Sequence, residues 1–112
     1  MRYFKKEEFI MGSVNVFHKM DGDFLKLLDE LRDRCGFGLK INSSYRDIAY
    51  NSSIGGAKSS KHLEGIAVDL ACTDSNKRAI IVKNALELGL TVGVAKTFIH
   101  VDSREGQIMF VY

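Results

Sequence analysis

Apolar positions along the chain change their period several times, and each change marks an element. Residues 1–20 scatter Tyr3, Phe4, Phe9, Ile10, Val14, Val16 and Phe17 among polar positions without a sustained repeat. This stretch reads as an N-terminal arm that packs apolar anchors onto the rest of the chain. From Asp21 the spacing turns helical: Asp21 or Asp23 can cap a helix whose stripe is Phe24, Leu27, Leu28 and Leu31, and Gly36 and Gly38 stop it. Leu39-Lys40-Ile41-Asn42-Ser43 alternates apolar and polar residues, as a short strand does, and Asp47 to Ser53 can form one helical turn.

The second half has more strand character. Ile66 to Ala71 alternates, and Thr73, Asp74 or Ser75 can cap a helix whose apolar face is Ile81, Val82, Ala85, Leu86 and Leu88, ended by Gly89. Leu90 to Val94, Phe98 to Asp102 and Gln107 to Tyr112 read as three short strands separated by turns at Ala95-Lys96-Thr97 and Ser103-Arg104-Glu105-Gly106. Two main helices and clustered late strands predict an α+β fold, a small antiparallel β-sheet with helices packed on one side.

Composition narrows the function classes. With 112 residues, 46% hydrophobic content and no proline, the chain suits one compact domain over residues 1–112, with 1–20 as its arm. Sixteen basic residues face fourteen acidic ones without long runs, so the surface carries no field of the kind nucleic-acid binding needs. Cys35 and Cys72 are too few for a disulfide framework and read as buried free thiols, although their spacing leaves a bridge undecided. The start, Met1 to Glu8, has charge but no apolar signal-peptide core, and no run is long enough to span a membrane. The loop Ile54 to Ser60 is rich in glycine and serine but lacks the ending of a phosphate-binding loop.

The chemistry concentrates in two stretches, Ser60-Lys61-His62-Leu63-Glu64-Gly65-Ile66-Ala67-Val68-Asp69 and Phe98-Ile99-His100-Val101-Asp102. Alternate strand residues share a face, so Ile66, Val68 and Leu70 oppose Ala67, Asp69 and Ala71, and Ile99 and Val101 oppose Phe98, His100 and Asp102. If the two strands are neighbours, Asp69, His100 and Asp102 converge opposite the core. Gly65 would let the chain turn so that His62 swings back over the strand. Two imidazoles and a carboxylate suit zinc and leave a fourth position for water. The competing reading is the solvated face of a sheet, since a three-ligand pattern without cysteine pairs is less specific than the cysteine-rich zinc spacings.

Ser43-Ser44-Tyr45-Arg46, Asn51, Gly55-Gly56-Ala57, the pattern Ser60-x-His62-x-x-Gly65-x-Ala67-x-Asp69, and Phe98 to Arg104 together resemble the zinc D-Ala-D-Ala carboxypeptidase family. The similarity is to its short phage- and bacterium-type members, which share a fold with the hedgehog N-terminal domain, and it extends to Phe4-Lys5-x-x-Glu8-Phe9 and the first helix. The resemblance implies zinc ligands at His62, Asp69 and His100, and a substrate role for Arg46 and Ser60. The guanidinium of Arg46 can bind a peptide carboxylate or steady the developing oxyanion through charge-assisted donors. Larger relatives carry an acidic residue three positions before the last zinc histidine, where this chain has Thr97. Asp102 then becomes the candidate general base, or else the partner that orients a zinc-bound histidine, and Glu64 is a weaker candidate. Strand alternation turns Cys72 away from Asp69, and His18 lies outside both motifs.

The function so implied is that of a zinc metallopeptidase acting on D-amino-acid-containing bonds of bacterial peptidoglycan, as a carboxypeptidase or an endolysin-like endopeptidase. Its rivals are a non-catalytic zinc-folded module that binds cell-wall peptides or a protein partner, and a purely structural domain without metal. The chain is expected to be cytoplasmic at synthesis and not to insert in membranes. It would reach the wall as a phage lysis or virion protein released by other means, or act on small wall-derived peptides as a cytosolic enzyme.

Overall fold

A computed structural model describes residues 1–112 and places the predicted elements in order. Strands β1 (Ile10–Met11) and β2 (Val14–Asn15) form a small hairpin, followed by helix α1 (Gly22–Cys35), strand β3 (Lys40–Ser43) and the short helix α2 (Ile48–Ser53). Strand β4 (Ala67–Ala71), helix α3 (Ser75–Glu87) and strands β5 (Thr91–Val94), β6 (Phe98–Asp102) and β7 (Met109–Val111) complete the chain. The Asp21 carboxylate accepts the Phe24 N–H at the start of α1 and Asp74 accepts the Lys77 N–H at the start of α3, so each helix begins on a capping aspartate. Gly36, in the left-handed conformation, closes α1.

The main sheet has the order β3-β4-β6-β5-β7. Pairs β3–β4, β4–β6 and β5–β6 are antiparallel, as expected, but β7 lies parallel to β5. Connectivity explains the difference. After β6 the chain reverses and runs antiparallel to it, hence along β5; β6 already has β4 and β5 as neighbours, so β7 docks on the free edge of β5.

One face of the sheet is core. Val68, Leu70, Val92, Ile99 and Val101 are fully buried and belong to one apolar cluster with Phe24, Leu28 and Leu31 of α1 and Ile81 and Ala85 of α3. Ile66 joins it as a partly buried residue. The predicted stripes shift slightly: Leu25 is buried where Leu27 is only partly so, and Val82, Leu86 and Leu88 flank the cluster. In the first twenty residues Phe4, Phe9, Val16 and Met20 are buried, whereas Ile10 and Val14 sit exposed on the hairpin. Cys35 is buried and Cys72 half-buried, and both are free thiols. No helix is long and apolar enough to cross a membrane.

Candidate metal centre

The opposite face of the sheet carries the polar residues. Register pairs Asp69 on β4 directly with His100 on β6, and Ala67 with Asp102, so the strand alternation that buries Val68 and Val101 lifts Asp69 and His100 to the far side. His62 comes from a 3-10 turn, Lys61–Glu64, that precedes β4. Ser60 caps this turn by accepting the His62 N–H at 3.2 Å, and the Arg46 N–H donates to the His62 carbonyl at 3.1 Å. Gly65 ends it at φ 71°, and a Cβ there would sit 2.2 Å from the Lys19 carbonyl oxygen, so the position demands glycine on two counts.

These supports bring His62, Asp69 and His100 together, all buried, with one potential ligand atom from each lying within 4.8 Å of the others. His62 Nε2 stands 3.2 Å and His100 Nδ1 3.0 Å from the same oxygen, Asp69 Oδ1. The outer nitrogens decide the chemistry. His62 Nδ1 lies 2.7 Å from the Ser44 carbonyl, and His100 Nε2 lies 2.6 Å from Asp102 Oδ2. A carbonyl and a carboxylate only accept, so an imidazole that donates its outer N–H turns its other nitrogen's lone pair inward toward Asp69. In that tautomer two lone pairs and a carboxylate oxygen face one another, a nitrogen and oxygen donor set that fits zinc. The inner nitrogens can instead carry the protons and donate to Asp69. Burial works against an ionised Asp69, but hydrogen bonds from His100 and His62 outweigh it and hold the carboxyl well below the usual range. Burial likewise opposes a charged His100, yet its bonds to Asp102 and Asp69 raise its pKa.

Arg46 closes the other side of Asp69, its Nη2 donating to Asp69 Oδ2 at 3.0 Å, its Nε to Ser43 at 2.9 Å and its Nη1 to Asn51 at 3.2 Å. Asp102 is fully buried, and both its oxygens are engaged: Oδ1 accepts the Arg104 backbone N–H, and the two oxygens together take the Arg104 side chain. Burial would raise its pKa, but His100 and then Arg104 hold it well below the carboxylate range.

A cleft of about 530 Å³ opens over this cluster, walled by the Gly55 to Lys61 segment on one side and by Phe98, Phe110 and Tyr112 on the other. Arg46, Ser60, His62, Asp69 and His100 line it, whereas Asp102, Glu64 and Thr97 do not. Glu64 is exposed and pairs with Lys61 at 3.0 Å, and Thr97 and His18 are exposed elsewhere.

The aromatic wall went unnoticed in the sequence. Phe110 packs 5.5 Å from the His100 ring and 5.4 Å from Tyr112. Partial burial and the Asp69 charge push the Tyr112 phenol up to about 12, so at neutral pH it remains a hydrogen-bond donor. The available signal was Gly93, a glycine inside a strand, which often marks the close approach of another group. It pairs with both His100 and Phe110, and a Cβ on it would fall 2.5 Å from the Phe110 ring.

No curated protein matches the chain significantly. A family model described as peptidase M15, however, matches residues 2–102, a span that holds β1 to β6, the His62, Asp69 and His100 cluster and all of the apolar core; the chain belongs to the peptidase M15 family.

Proposed function

We propose that the protein is a zinc-dependent peptidase that hydrolyses D-amino-acid-containing peptide bonds of bacterial peptidoglycan. The observation that carries this reading is the convergence of His62 Nε2, His100 Nδ1 and Asp69 Oδ1 beneath an open cleft, in a chain of a peptidase family. Zinc held by these three atoms would supply Lewis acidity toward a carbonyl and lower the pKa of a water to about 7. Arg46, fixed by Ser43, Asn51 and Asp69, presents a preorganised cation to the scissile carbonyl oxygen as negative charge develops on it. Ser60 accepts a hydrogen bond from the His62 N–H, which leaves its own hydroxyl proton free to bind the peptide backbone. Asp102 acts as a positioning residue, since it is buried outside the cleft walls and fixes the tautomer and orientation of His100.

One feature favours a second reading, a zinc-folded module that binds wall peptides without cutting them: Asp69 is the only carboxylate lining the cleft. Mass spectrometry of peptidoglycan fragments incubated with zinc-loaded protein tests both. The peptidase reading expects a defined bond to be cut, and cleavage to be lost in His62→Ala. Binding without turnover would transfer the assignment to the module, and cleavage that survives His62→Ala would remove the metal from the chemistry.

A further inference from the structure

The cationic side chains along the cleft are not equivalent. Arg46 engages a protein partner through each of its three nitrogens. Lys61 is paired with Glu64. Arg104 differs from both: Nε and Nη2 grip Asp102, at 3.0 Å and 2.7 Å to the nearer oxygens, and Nη1 has no hydrogen-bond partner in the protein. The Phe110 ring lies 5.5 Å from the guanidinium carbon, so stacking and the bidentate pair together hold the plane. Its side chain is 23% exposed, and it lines the cleft with Tyr112 and His100.

We propose that Arg104 is a specificity-determining residue whose Nη1 edge binds a carboxylate of the peptide lying in the cleft, so that the site takes acidic peptides in preference to their amides. This rests on the peptidase reading for the identity of the ligand as a peptide. An arginine already immobilised by its own buried carboxylate loses little further freedom when it binds, and its free N–H groups form charge-assisted bonds of the stronger kind. Arg46 and Arg104 then divide the work: Arg46, bonded to Asp69, serves the carbonyl at the metal, and Arg104, bonded to Asp102 behind His100, serves a charged group further along the aromatic wall. The carboxylate can be the peptide's terminal one or that of an acidic side chain.

Two pairs of synthetic wall peptides separate these sources, one with the terminal carboxylate free or amidated, the other with a D-glutamyl side chain free or amidated. Zinc-loaded wild type is expected to cut the free acid about tenfold more efficiently in one of the two pairs, the size of one charge-assisted hydrogen bond. Arg104→Gln should collapse that ratio toward one. Arg104→Lys, which keeps a cation beside Asp102 but has no bidentate grip and no separate second edge for a ligand, should also lower it markedly, and it covers the case in which the glutamine variant fails to fold. Equal handling of acid and amide in both pairs by wild type, or a full preference retained in the folded variants, overturns the proposal. Calorimetric binding of the same peptides separates its fate from that of the peptidase reading. A protein that turns over no peptide yet binds the acid forms more tightly through Arg104 keeps this inference and loses that reading.

Discussion

His100 is held on three sides: Asp69 at Nδ1, Asp102 at Nε2 and the tilted Phe110 ring beside it. With a metal on Nδ1, the contact with Asp102 is the one that keeps the remaining imidazole proton on Nε2. Asp102→Asn keeps the shape but removes the charge that holds both the imidazole N–H and Arg104. Zinc affinity, measured by competition with a chromogenic chelator, is expected to fall about 10- to 100-fold, the usual cost of losing such a partner. Undiminished affinity with lost turnover would return Asp102 to the general-base role. Two-residue alternation placed Asp69, His100 and Asp102 opposite the core in the sequence, because a strand face is a local property. The grip of Arg104 on Asp102 was not legible, because it depends on the turn that follows β6.

At the level of elements, β7 is the strand whose placement departs from expectation, and it also builds the aromatic wall. Its pattern announced a strand but not a partner, since parallel and antiparallel neighbours impose the same alternation. What admits it is Gly93: β5 leaves an empty position between His100 on one side and Phe110 on the other, and the Phe110 ring lies across it. Gly93→Ala would drive a methyl group to 2.5 Å from that ring. Phe110 is only half-buried, so it can swing partly outward, and the expected loss is about 1–2 kcal/mol rather than the larger cost of overpacking a closed core. A lowered urea midpoint at constant slope would show this, whereas an unchanged midpoint would mean that the ring is not seated over β5.

Across the whole molecule, the three candidate ligands come from structures far apart in the chain, and each is tied to the core differently. Asp69 and His100 sit on the central strands of the sheet, so folding the core fixes them. His62 depends on a single turn braced by the Ser43 to Arg46 segment, by the N-terminal arm, whose Lys19 carbonyl abuts Gly65, and by the α1 cap Asp21, whose N–H donates to the Gly65 carbonyl at 2.9 Å. The arm's anchors were visible as aromatic residues, but their docking beneath the His62 turn was not, since it is a contact between segments with no shared periodicity. A metal joining His62 to the sheet would therefore tie the arm and turn to the core, and the free energy of binding would appear as folding stability. With zinc at a thousandfold excess over its Kd the gain is about 4 kcal/mol, on the order of 15 °C in Tm for a chain of this size. Differential scanning calorimetry with zinc and with EDTA should show that separation for wild type and should show it largely erased for His62→Ala. The sign is fixed by linkage, because an ion that binds the folded state more tightly can only raise its midpoint. Identical transitions with and without zinc in wild type would leave the three side chains as a hydrogen-bonded polar cluster and remove the metal centre.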